Sequence, residues 1–277
     1  MAGRRDPSRM RPMQTMNRPI GELLRDWRQR RRRSQLDLAL DAEVSTRHIS
    51  FIETGRAQPS REMLLRLFDH LEVPLRERNT LLTAAGYAPV YLATPLDEPA
   101  MAAARQAIEM LLAGYEPYPA LAIDRYCNLV IANRAVALLL DGVAPELLEP
   151  PVNVLRLSLR VDGIASRVEN FAQWREHALG RLRQQVETTG DPVLTALLEE
   201  VRAYSTPDAG RHREPIVHSG VIFPLRIRTG AGVLSFFTAT TVFGTATDIT
   251  LSELAIESFL PADAETAAAL RLVADGG

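Results

Sequence analysis

Lysine does not occur in this 277-residue chain: all 32 basic side chains are arginine. That usage is compositional and carries no functional argument. Cysteine occurs once, as Cys127, which excludes an internal disulfide framework and a zinc site built from several thiolates. No uncharged apolar run approaches the ~20 residues of a transmembrane helix, so no membrane partner is expected. The opening stretch lacks the apolar core of a secretory signal, and a cytoplasmic protein is expected. His48, His70, His177, His212 and His218 show no metal-ligand spacing. There is no Gly-x-Ser-x-Gly elbow, no Walker loop and no Gly-x-Gly-x-x-Gly turn. The expectation is a non-enzyme without metal or cofactor.

What is present is ordinary for a globular protein, 46% apolar and 24% charged residues, and the length suggests about two domains. The charge is uneven. Residues 1–90 carry 17 Arg against 11 acidic residues, a balance of +6, and residues 91–277 carry 15 against 23, a balance of −8. A basic first third on an acidic remainder points to a polyanion-binding part and a part with another task.

Residues 1–18, with five arginines and two prolines, read as a disordered basic arm. Ile20, Leu23, Leu24 and Trp27 then recur at helical spacing. Ser34 with Asp37 predicts the capped start of a second helix burying Leu38, Ala39 and Ala42. Ser45 caps a third, Thr46 to Thr54, with Ile49 and Ile52 inward, stopped by Gly55. A fourth helix starts at Pro59-Ser60 and a fifth after Pro74, ending at Gly86. Residues 88–103 read as a linker running into a helix over 101–113.

Beyond it, Pro119–Ile123 and Leu129–Ala132 read as a strand pair around a turn at Asp124–Asn128. Phe171–Val186 and the stretch opened by Asp191-Pro192 read as helices. Val221–Arg228 and Val233–Phe243 read as strands around a hairpin turn at Thr229–Gly232, Ile249–Leu260 as an alternating strand, and Ala264–Val273 as a helix. Residues 205–219 read as a polar loop.

The second and third helices have the layout of a helix-turn-helix. With Ile49 and Ile52 inward, helix geometry turns Thr46, Arg47, Ser50 and Phe51 outward. Arg47 suits guanine O6/N7, a contact that discriminates by ~1–3 kcal/mol, and Phe51 suits a thymine methyl. Gln35, Ser50, Arg56 and Gln58 suit the sugar-phosphate backbone. On pattern alone, an ordinary helical bundle fits as well: Arg28–Arg33 as a solvated face, Phe51 as core, Arg56 paired with Glu53.

The residues Ser34-Gln35, Leu38-Ala39, Ala42, Val44-Ser45, Ile49-Ser50, Ile52-Glu53, Gly55 and Pro59-Ser60 resemble the XRE-type helix-turn-helix family. The resemblance covers residues 20–86. It implies sequence-specific double-stranded DNA as partner, with Thr46, Arg47 and Phe51 on bases and Gln35 and Arg56 on the backbone. Glu43 departs from the family's turn glycine, and a left-handed backbone there would cost it about 1 kcal/mol.

Residues 104–273 resemble the ligand-binding domain of MmyB-like transcription regulators. Pro117 to Ala120, Asn133, Asn153, Arg156, Trp174 and Pro261 to Asp263 match that pattern, and Cys127 stands where it usually has tryptophan. The resemblance implies a PAS-like domain, an antiparallel sheet flanked by helices around a pocket. The expected fold is therefore multidomain: an all-α five-helix helix-turn-helix domain over 19–87, then an α/β PAS-like domain over 104–273. Phe223, Leu225, Leu234, Phe236, Phe237, Trp174 and Leu182 are either the lining of an apolar ligand pocket, suited to a fatty-acyl chain, or plain core. Asn133 and Arg156 either fix a polar head group or serve a helix cap and a carboxylate. Cys127 is either a cofactor or redox site or an inert buried thiol.

The expected function is a bacterial transcription regulator. It is expected to act as a homodimer on half-sites about 34 Å apart, with a small hydrophobic ligand as effector. The alternative is an interaction module of antitoxin-like or scaffold type.

Overall fold

Apolar side chains three and four residues apart give each of the first five helices one buried face. The computed structural model describes residues 18–207 and 224–275, and two compact units divide between Ala93 and Thr94. In the first unit α1 is Ile20–Arg30, α2 Gln35–Asp41, α3 Thr46–Glu53, α4 Arg61–His70 and α5 Leu75–Ala84. Leu24, Ile49, Leu64, Leu67, Phe68, Leu71 and Leu82 are fully enclosed in their common core. At roughly 1.5–3 kcal/mol for each large side chain, this burial dominates the unit's stability.

Serine side chains start three of these helices. Ser34 closes a reciprocal capping box with Asp37, Ser45 accepts from the His48 amide, and Ser60 accepts from the Met63 amide. All five end the same way. A left-handed residue follows the C-cap, at Arg32, Glu43, Gly55, Glu72 and Gly86. The next amide reaches back five residues: Arg33 to the Arg28 carbonyl, Val44 to Ala39, Arg56 to Phe51, Val73 to Phe68 and Tyr87 to Leu82. These bonds satisfy carbonyls that the helix leaves free. Glu43, at φ 54°, takes the conformation of the glycine it replaces, so the turn between α2 and α3 keeps its geometry at the cost of strain.

The second unit opens with α6 (Ala102–Gly114). Five strands follow, β1 (Ala120–Ile123), β2 (Leu129–Ala132), β3 (Leu225–Thr229), β4 (Gly232–Val242) and β5 (Ala255–Pro261). They form one sheet in the order β2-β1-β5-β4-β3, every pair antiparallel. The α/β architecture expected of a PAS-like domain is what the chain adopts. Between β2 and β3 lie α7 (Ala137–Leu140), α8 (Val154–Leu159), α9 (Phe171–Thr189) and α10 (Pro192–Arg202). The one-turn α11 (Ile249–Ser252) precedes β5, and α12 (Ala264–Asp275) follows it.

Side chains alternate across the sheet. Leu121, Ile123, Leu225, Ile227, Leu234, Phe236 and Phe259 face one core with Leu179, Leu182, Leu194, Leu198 and Leu270. Ala120, Ala122 and Ile256 face a smaller core with Ile108 and Leu112 of α6.

One sequence expectation needs correction here. Ile249–Leu260 is not one strand: its first four residues form α11, and only Ala255 onward pairs with β1 and β4. α8 was not foreseen as a helix; it has a single turn and a half, too short to display a period. The expected basic arm, but for Arg18, most of the expected polar loop and the start of the strand expected from Val221 lie outside the described residues.

Candidate functional site

Helix α3 owes its orientation to Ile49 and Ile52, both essentially inaccessible. A helix turns 100° per residue, so burying these two leaves the opposite side in solvent. Arg47 is exposed, and Thr46, Ser50 and Phe51 are half-exposed. Ser45 caps the start of the helix, whose first turn carries Arg47 and the partial positive charge of a helix N-terminus. Gly55, at φ 74°, reverses the chain so that the Arg56 and Ala57 amides donate to the Phe51 carbonyl at 2.8 and 3.1 Å. This return brings Arg56 to 5.9 Å from the centre of the Phe51 ring, while Arg47 lies at 5.0 Å. Gln58, also exposed, donates to the Ala85 carbonyl at 3.4 Å.

Behind this surface lies a charge pair that the sequence did not announce. Arg28 of α1 donates to both carboxylate oxygens of Glu53 on α3, at 2.6 and 2.9 Å. It also donates to the Arg33 carbonyl at 2.7 Å. Gln35 of α2 donates to the same carboxylate at 2.8 Å. Arg28 and Glu53 are both buried, so this node fixes α1, α2 and α3 together beneath the exposed face. The expectation for Arg56 is corrected: Glu53 pairs with Arg28, because α1 crosses α3 on its inner side. Gln35 spends one of its two amide hydrogens on Glu53. Close crossing is possible because Gly21 sits against α3. A Cβ there would lie 2.3 Å from the Ile52 carbonyl oxygen.

In the second unit, the structure brings Leu182, Leu225, Leu234 and Phe236 into one core, with Trp174 and Cys127 at its edge. Phe236 meets Phe259 edge-on at 6.2 Å. Phe237 follows Phe236 in β4 and therefore points to the other face, where it is half-exposed. Phe223 lies outside the described residues.

The polar candidates are occupied by the protein itself. Asn133, buried, accepts from the Ala120 amide and donates to the Leu112 and Tyr118 carbonyls. Arg156 makes a two-pronged pair with Glu200, both bonds 2.7 Å. Asn153 caps α8 and clamps the turn before β2 through the Tyr126 carbonyl and the Asn128 side chain. In that turn Cys127 is left-handed, at φ 62°. Burial, then the nearby Glu257 and Asp124 carboxylates, push its thiol up to about 12, so it carries no thiolate at neutral pH.

Among the described residues, the buried Trp174 indole Nε1 and Arg167 Nε have no hydrogen-bond partner. Burial holds the Arg167 guanidinium below its ordinary value, although Asp141 acts against it. Arg167 bonds the carbonyl of Leu139, a member of the same core. An unmatched buried donor costs about 1–3 kcal/mol. Sequence reading passed over Arg167 because one arginine among 32 carries no pattern. Among the described residues no helix is long and apolar enough to cross a membrane, and no cluster of His, Cys, Asp and Glu is fit to hold a metal ion.

Comparison with protein families adds two findings. Residues 104–273 match the MmyB-like transcription regulator ligand binding domain, and residues 19–81 match a helix-turn-helix domain. No curated protein sequence matches the chain. The first match spans more than half of the chain and contains the whole five-stranded sheet. A helix-turn-helix unit ahead of that ligand-binding domain makes the protein a transcription regulator with a ligand-sensing part, and the chain belongs to the MmyB-like transcription regulators.

Proposed function

We propose that the chain is a cytoplasmic, non-catalytic regulator that binds double-stranded DNA as a homodimer through α3 and responds to a small apolar ligand. In this reading residues 19–87 are the DNA-binding domain, 88–103 the linker and 104–273 the ligand-binding domain. The observation that carries it is the exposure of Arg47 at the first turn of a helix whose Ile49 and Ile52 are fully buried. A helix so anchored can enter a major groove by its N-terminal end. Thr46 and Arg47 then meet base edges with Phe51 beside them, while Ser50, Arg56, Gln58 and the second amide N–H of Gln35 meet the backbone. One such helix buries too little surface for tight binding, which argues for two copies on half-sites about 34 Å apart.

The test starts with duplexes selected by the full chain from a randomised library. Arg47→Ala is expected to weaken the selected duplex about 5- to 100-fold while binding random duplex nearly as before. Equal loss on both would make Arg47 a phosphate contact, and no selected sequence would end the DNA reading. Footprinting on the selected duplex should protect two half-sites; protection of one removes the dimer.

The ligand reading rests on Trp174 Nε1, a buried donor that has no acceptor among the described residues, beside an apolar core. An apolar molecule carrying one acceptor, such as a fatty-acyl carbonyl or carboxylate, satisfies it. Native mass spectrometry of the purified chain is expected to show such a molecule in stoichiometric amount, and Trp174→Phe, which keeps the ring and removes the donor, is expected to lose most of it. A wild-type protein free of any small molecule sinks this half of the proposal. Such a ligand regulates only through unequal affinity for DNA-competent and incompetent arrangements.

A further inference from the structure

We infer that Phe51 is a positioning residue: its ring holds the Arg47 and Arg56 guanidiniums together as one preorganised recognition element, and it sets specificity without itself reading a base. The inference rests on the DNA reading above and changes the part that Phe51 plays in it.

Three observations carry it. Arg47 and Arg56 stand 5.0 and 5.9 Å from the centre of the same ring, inside the distance at which a cation is attracted to an aromatic quadrupole. The two arginines approach from different parts of the chain. Arg47 lies one helical turn before Phe51 in α3, and Arg56 returns over it because Gly55 is left-handed and the Arg56 amide bonds the Phe51 carbonyl. Neither guanidinium makes an ion pair among the described residues, and both side chains are exposed while the ring is half-buried.

A free arginine is a long, mobile side chain whose ordering on binding opposes affinity. Stacking on a ring fixed by the fold removes part of that opposition before DNA arrives. The planar fork of arginine suits both tasks, since it stacks on a ring and still presents its edge donors. With two cations seated on it, the ring has less surface left for a thymine methyl.

The experiment compares the selected duplex with random duplex. Phe51→Leu keeps bulk and loses the quadrupole. It is expected to lower the preference for the selected duplex by about 2- to 5-fold, and Phe51→Tyr to retain it. In an Arg47→Ala background, Phe51→Leu is expected to cause no further loss of preference, because the two act through one contact; additive losses overturn the inference. A second arm uses the wild-type chain alone, on the selected duplex with thymine replaced by uracil. Unchanged binding is expected. Weaker binding that Phe51→Leu does not share makes Phe51 a methyl reader and overturns the inference while leaving the DNA reading intact. Failure of the library to yield any preferred duplex overturns both, and is told apart by the absence of sequence preference in the wild type.

Discussion

At the scale of single residues, the first unit turns on Glu53. Its carboxylate is buried and takes three donated hydrogen bonds, two from Arg28 and one from Gln35. The hydrogen bonds that Arg28 donates to Glu53 hold its guanidinium above its ordinary value despite burial. Removing one member of a buried pair strands the other charge, which costs about 3–5 kcal/mol, whereas replacing both with apolar groups is far milder. Glu53→Ala is therefore expected to destabilise the unit by about 3–5 kcal/mol in urea unfolding, and the double variant Arg28→Met, Glu53→Met by much less. Similar losses from both would show that the pair is worth its contacts and no more. None of this was legible beforehand. Arg28 sits in a run of five arginines in six positions, Arg28 to Arg33, which reads as a solvated face, and only the crossing of α1 over α3 selects one of them for burial.

At the scale of elements, the helices of the first unit follow directly from their residues. Ser34, Ser45 and Ser60 start helices and Gly55 and Gly86 end them, where the sequence places such signals. Arg32 and Glu72 also take left-handed conformations, yet neither residue type favours it, so those two endings were invisible to local reading. Packing of one element on another was equally hidden. Gly21 looks like any glycine near a helix start, but a side chain there would collide with the Ile52 and Glu53 carbonyls at 2.3 and 2.8 Å. Gly180, inside α9, has nothing within 4 Å of its missing Cβ. Gly21→Ala is expected to lose about 1–3 kcal/mol and Gly180→Ala to gain about 0.5–1 kcal/mol, both from denaturant midpoints. A neutral Gly21→Ala would mean that α1 and α3 separate without penalty. The strands were harder to read than the helices. Ile249–Leu260 alternates throughout, and alternation alone cannot reveal that Ile249–Ser252 makes a helical turn before β5 begins.

At the scale of the whole molecule, the uneven charge and the family matches divide the chain in the same sense. The basic first third holds the helix-turn-helix match, and the acidic remainder holds the ligand-binding domain. In the proposed reading, a positive charge balance over the first unit draws polyanions from a distance and weakens with salt, and α3 is proposed to supply the contacts that distinguish one sequence from another. The polar candidates of the second unit show where reading by resemblance reaches its limit. Asn133, Asn153 and Arg156 are among the residues on which the resemblance rests, and the structure employs all three within the fold. A matched residue can be kept for architecture as readily as for a ligand. Trp174, by contrast, also carries the resemblance and retains a buried donor with no partner among the described residues.

The sequence by itself determined the helix-turn-helix and the face that α3 exposes, because helical period and capping are local and two isoleucines suffice to set which side is turned inward. It also determined the division into a basic and an acidic part. Only the tertiary structure decided that Glu53 meets Arg28, that Arg56 returns over Phe51, that Phe237 faces away from Phe236's core, and which donors of the second unit stay unmatched. Those facts depend on distances between residues far apart in the chain or on the exact course of a turn, and no local propensity encodes them.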